Sequence, residues 1–165
     1  MASTKVDAKK IDNVLQVTVS GYIGENAGLF ELNFVDIKRM VMDLSGVNYM
    51  NSVGVKNWIN WTGRFPNDLQ IEFHNCPSLI VNQVNLVAGF LPNNGTIESL
   101  SAPYICEDCN REANVPLRRG VHYEYSSLTE PYKFQSPAVP CPKCKKNMEL
   151  DAVESKFFNF LKSIR

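Results

Sequence analysis

Residues 41–55 read Val-Met-Asp-Leu-Ser-Gly-Val-Asn-Tyr-Met-Asn-Ser-Val-Gly-Val. They begin inside an apolar run over 39–44, Arg-Met-Val-Met-Asp-Leu, closed by Ser45-Gly46. Such a run predicts a strand buried on both faces. Beyond Asn51, the residues Val55, Trp58, Ile59 and Thr62 recur at i, i+3, i+4 and i+7. That spacing puts them on one face of a helix over 53–64. Ser52 stands where an N-cap belongs, and Pro66 stops the helix.

Working outward, Leu15, Val17 and Val19 alternate with Gln16, Thr18 and Ser20, the mark of a half-buried strand punctuated by Gly21 and Gly24. Residues 26–34 hold Leu29, Phe30 and Leu32 and suggest a short helix. Residues 69–73 alternate again as a strand. Pro77 opens a further helix with Leu79, Ile80, Val84 and Val87 at helical spacing, ended by Gly89, and 96–100 reads as a last strand. Alternating strands and helices predict an α/β layered domain over 1–103.

After Pro103 the chemistry changes. Residues 104–150 carry prolines in loops and no helical period, which predicts turns and short strands. Residues 151–165 regain a helical stripe in Val153, Phe157, Phe160, Leu161 and Ile164. Cys106 and Cys109 form one CxxC pair, Cys141 and Cys144 a second, and 31 residues separate the pairs. A CxxC turn aims two thiolates at one tetrahedral ion, and two such turns complete a closed four-sulfur shell. Zinc suits that shell, so one structural Zn²⁺ per chain is expected, with no open position for catalysis. Residues 104–150 resemble a zinc ribbon. That family places glycine after the second cysteine of each knuckle, where this chain has Asn110 and Lys145.

Composition narrows the function. Seventeen Lys/Arg balance seventeen Asp/Glu over 165 residues, so the chain lacks the global field of a nonspecific nucleic-acid binder. Residues 106–165 hold ten basic and eight acidic side chains. Four thiolates around a dication add a net −2, which offsets that excess. The start has no apolar stretch after its lysines, and no run reaches the roughly 20 apolar residues of a membrane helix. The expectation is a cytoplasmic protein whose cysteines bind metal rather than form disulfides.

The stretch 41–55 resembles the STAS family, the domain of sulfate transporters and anti-sigma-factor antagonists. Asp43, Leu44, Ser45, Gly46 and Val47 match the family's Asp-Leu-Ser-Gly-Val. Ser52 and Gly54 match its Asp-Ser-Ser-Gly-Leu, with Asn51 in place of the acid and Val53 in place of the second serine. The resemblance implies a STAS-like mixed sheet with helices over 1–103, ahead of the zinc ribbon of 104–150 and the C-terminal amphipathic helix of 151–165. It also implies a protein partner, such as an anti-sigma-factor-like kinase, docked on Asn51, Ser52, Val53 and Gly54. Ser52 is then either a phosphorylation site or simply a helix cap, since a helix N-terminus tolerates phosphate and also favours a capping serine.

Trp61 falls off the apolar stripe of its helix and joins the candidate binding residues, as exposed tryptophans are frequent hot spots. No nucleophile–base pair or glycine-rich phosphate loop is present, and His74 and His122 read as ordinary side chains, so no enzymatic activity is expected. Two other readings stand beside protein interaction. One is nucleic-acid binding through the ribbon; the other is a small-molecule sensor using the first domain.

Overall fold

The computed structural model describes residues 3–25 and 27–165. The chain enters through a hairpin that the hydrophobic pattern did not announce: β1 (Lys5–Ile11) pairs antiparallel with β2 (Val14–Ile23), and Asp12 turns the corner at φ 53°. β1 carries three lysines and an aspartate and is exposed at every position but Val6. A charged outer strand of this kind protects a sheet edge from pairing with other chains.

β3 (Arg39–Met50) and β4 (Gln70–His74) add to β2 in parallel, and β5 (Gly95–Ile97) completes a five-stranded mixed sheet in the order β1-β2-β3-β4-β5. Register lines up Val17, Met42 and Phe73 across β2, β3 and β4. That face is covered by α1 (Ser52–Thr62) and α2 (Ser78–Leu86). Trp58 of α1 stacks on Phe90 and leans on Phe73, and its indole N–H donates to the Phe90 carbonyl at 3.0 Å.

The expectation for 39–44 needs correcting. Met40, Met42 and Leu44 are fully buried, whereas Arg39, Val41 and Asp43 point to the other, open face. Helices cover only one side, so β3 is a half-buried strand. On the open side Glu72 is held by a two-pronged Arg39 guanidinium at 2.6 and 2.8 Å and by His74 Nε2 at 3.2 Å. The strand also continues past Ser45-Gly46 to Met50, paired with β2 across bulges.

The helix expected over 26–34 does not form: Asn26 lies outside the described residues, and 27–34 have no regular secondary structure. The segment straps across α1, with the Phe30 carbonyl accepting the Trp61 indole N–H at 2.7 Å. Its apolar residues are spent on α1 rather than on a stripe of their own.

The expected division at 103/104 falls inside β6 (Ser99–Cys106). β6 pairs antiparallel with β7 (Arg111–Arg118) and with β10 (Glu149–Leu150), and a two-stranded ribbon of β8 (Tyr123–Glu124) and β9 (Lys133–Phe134) sits beside them. Pro103 is accommodated because its strand neighbour needs only its carbonyl, which accepts from the Asp151 N–H at 2.8 Å. β6 is hooked to the end of β4 through Cys76, whose N–H donates to Ser99 O at 3.0 Å and whose carbonyl accepts from Ser101 at 2.9 Å. Tyr123 and Tyr125 bond the carbonyl and N–H of Ile97. One buried cluster therefore runs from Met42 and Trp58 through Leu100 and Tyr104 to Phe158 and Leu161.

The C-terminal amphipathic helix expected over 151–165 is reduced to α3 (Glu154–Phe157) and a 3-10 turn at Asn159–Lys162. Phe157, Phe158, Phe160 and Leu161 are buried, while Val153 and Ile164 are exposed. Four apolar anchors within five residues cannot share a straight stripe, so the chain tightens and folds all four inward. Each such burial contributes about 1.5–3 kcal/mol.

Candidate metal centre and the corner at the start of α1

The four cysteines separated in sequence come together in space. Cys106 is the last residue of β6, and Cys109 lies in the turn before β7. Cys141 and Cys144 occupy the turn ahead of β10. All four Sγ atoms lie within 4.8 Å of one another, and Cys106 Sγ is 3.5 Å from Cys144 Sγ. Cys106 and Cys141 are buried and the other two half-buried.

Each turn closes on its own backbone. The Cys109 N–H donates to Cys106 O at 3.2 Å, the Lys145 N–H to Cys141 O at 2.9 Å, and the Cys141 N–H to Lys146 O at 2.8 Å. The residue after each second cysteine turns left-handed, Asn110 at φ 50° and Lys145 at φ 65°. These are the two positions where the resemblance puts glycine. The turn geometry thus survives without it, at the cost of a strained lysine.

Electrostatics favour a cation at the centre. The N–H groups of Cys144 and Lys143 aimed at Cys141 outweigh burial and lower its thiol to about 6. The neighbouring Cys144 sulfur and burial push Cys109 up to about 12, and burial raises Cys106. Four crowded sulfurs cannot all ionise against one another, whereas a dication among them allows it. The cluster can hold a metal ion such as zinc, and it is the one such group among the described residues. Close by, Lys146 pairs with Asp108 at 2.9 Å and the Lys145 ammonium bonds the Pro142 carbonyl at 3.2 Å.

At the start of α1 the cap is Asn51, not Ser52. Asn51 Oδ1 accepts the Gly54 N–H at 2.8 Å, and its Nδ2 donates to the Tyr22 hydroxyl at 2.6 Å. Asparagine caps as well as serine does. Ser52 becomes the first helical residue and is exposed, and its hydroxyl enters no hydrogen bond among the described residues. Gly54 is buried so close to β2 that a Cβ there would lie 1.9 Å from the Ile23 carbonyl oxygen. Only glycine lets the helix start at this point.

Val53 is 40% exposed and Tyr49 55%, with Tyr49 stacked on Tyr22 at 5.2 Å. The sequence carries no signal for this exposed pair, because the apolar run closes at Ser45-Gly46, ahead of Tyr49. Trp61 must be withdrawn from the surface: it is 5% exposed, edge-on to Trp58 and Phe65. The strap of residues 27–34 covers it, which helical periodicity alone cannot reveal.

His122 Nδ1 accepts from the Arg118 N–H at 2.9 Å, and His74 faces Glu72. Cys76 is fully buried, and burial pushes its thiol far up. No helix among the described residues is long and apolar enough to cross a membrane. Comparison with protein-family models, with curated proteins and with solved structures finds no match.

Proposed function

We propose that the chain is a non-catalytic protein-interaction module of STAS type, stabilised by a zinc ribbon, that docks a protein partner on the corner around Ser52. The carrying observation is the division of labour at that corner. Asn51 provides the cap, which leaves the Ser52 hydroxyl exposed and free at a helix N-terminus. Val53 and Tyr49 give the corner apolar and aromatic area. A phosphate on Ser52 would place nearly two negative charges on that area without disturbing the fold, which makes it a switch.

The metal is zinc, one per chain, bound by Cys106, Cys109, Cys141 and Cys144 in a structural role. Of the lysines beside it, Lys146 is already paired with Asp108 and Lys145 with the Pro142 carbonyl, and together with a formal net charge of zero this favours a protein partner over nucleic acid. The reading is tested by a photo-crosslinking residue introduced at Val53 in the native cell, with the same residue at exposed Thr18 on the open sheet face as control. A partner captured from Val53 and not from Thr18 supports it. Equal capture from both positions, or from Thr18 alone, contradicts it.

A further inference from the structure

The two cysteine turns are tied to one another by contacts that need no metal. Ile105, next to Cys106, pairs with Glu149 of β10, and Tyr104 pairs with Leu150. The second turn is closed from behind by the Met148 N–H, which donates to the Val139 carbonyl at 2.7 Å. Asp108 in the first turn meets Lys146, just past the second, at 2.9 Å. These ties bring sulfurs of opposite turns into contact: Cys106 Sγ and Cys144 Sγ, 38 residues apart, stand 3.5 Å from one another. Exposure separates that pair, since Cys144 is half-buried and Cys106 is buried. A small oxidant arriving from water meets Cys144 first and finds Cys106 directly behind it, the arrangement of an oxidisable thiol beside a resolving one.

On the reading of the four cysteines as a zinc centre, we infer that the cluster is a redox switch with two forms. In the reduced form all four sulfurs hold the ion; in the oxidised form a Cys106–Cys144 disulfide joins the turns and the ion is released.

The oxidant is a hydroperoxide. Cys144 Sγ, as thiolate, attacks one peroxide oxygen; an S–O bond forms, the O–O bond breaks and hydroxide leaves. Cys106 Sγ, as thiolate, then attacks Cys144 Sγ; the S–S bond forms and the S–O bond breaks with loss of a second hydroxide. The two sulfurs give up two electrons and the peroxide takes both. With two of its four donors spent, the closed shell is lost. The turns nevertheless stay joined, because the disulfide crosses between them where the ion did. Chelation of the reduced protein, by contrast, removes the cross-link and puts nothing in its place. The switch lies apart from the corner at Ser52 and does not depend on it.

The test starts from the full chain, reduced and loaded with zinc, with bound zinc measured before and after an excess of hydrogen peroxide. Tandem mass spectrometry of unreduced peptides maps the disulfides, and hydrogen exchange follows residues 104–150. Peroxide should release about one zinc per chain. It should leave a Cys106–Cys144 disulfide with Cys109 and Cys141 as free thiols, and keep 104–150 protected. A chelator added to the reduced protein should strip that protection. A dithiol reductant with zinc should restore the starting form. Cys144→His, which keeps a metal-ligating side chain, should bind zinc and release it to peroxide about tenfold more slowly. Cys109→His should bind zinc and form the same disulfide as wild type. The wild-type map decides even where a variant binds no zinc. A disulfide within either turn, sulfinic acid at Cys144 with no disulfide, zinc retained after peroxide, or 104–150 opening as zinc leaves would overturn the switch alone. Reduced protein that holds no zinc before peroxide would overturn the metal reading and the switch together.

Discussion

Asn85 and Phe160, 75 residues apart, are joined directly: Asn85 Oδ1 accepts the Phe160 N–H at 2.8 Å. The same side chain donates through Nδ2 to the Phe157 carbonyl at 2.7 Å. One amide on α2 thus replaces backbone partners on both sides of the break between α3 and the 3-10 turn. Asn85→Ala leaves both groups unsatisfied, and the expected loss is about 2–4 kcal/mol. Urea unfolding should show it as a lower midpoint with one transition, since the buried cluster is continuous.

Metal removal should be felt on both sides of that seam. Zinc-type sites contribute about 10–16 kcal/mol in isolated modules, so losing the ion melts the turns around the cysteines. β6 runs from Ser99, beside Cys76, to Cys106 of the four-cysteine cluster, and should transmit the loss to the sheet. Hydrogen exchange after chelation should show α2 and residues 157–161 opening together with residues 104–150. Protection of α2 that survives chelation unchanged would mean that the two halves are energetically independent, as their sequences suggest.

The left-handed lysine gives a stabilising substitution. Lys145→Gly relieves the strain at φ 65° and should raise the stability of the metal-bound protein by about 1 kcal/mol. Asn110→Gly should gain less, because asparagine tolerates that conformation. Chemical denaturation of the two metal-loaded variants measures both.

On the open face, the Arg39 guanidinium holds the Glu72 carboxyl below its ordinary value, against the opposing effect of burial. A carboxyl lowered in the folded state contributes stability that is complete above the unfolded value, about 4.3, and is lost as pH falls through the folded value. Glu72→Gln should therefore lower stability at pH 7 and flatten its decline below about pH 4.3, measured as thermal midpoints against pH.

Some of this architecture is legible in the residues and some is not. Leu15, Val17 and Val19, the Val55–Trp58–Ile59 face and the two CxxC pairs each carry their own period or spacing, and each lands in the element expected of it. What fails does so because its partner is distant in sequence. The strap at 27–34 has no period because it packs on Trp61. β1 has no apolar alternation because only Val6 turns toward the core. The last helix breaks where four apolar side chains crowd into 157–161, and the distant residue that meets the backbone groups freed there, Asn85, is one no local pattern can signal. At the corner, Asn51 and Ser52 are both competent caps, and only the Tyr22 hydroxyl bonded to Asn51 separates them.

The most direct measurement is the affinity of the partner recovered from Val53 for wild type, Ser52→Ala and Ser52→Glu. Because Asn51 is the cap, Ser52→Ala should change stability by no more than about 0.5 kcal/mol and bind like wild type. Ser52→Glu should fold as well and bind about tenfold more weakly, even though it carries less charge than phosphate. Equal affinity of all three proteins would contradict a docking surface switched at Ser52.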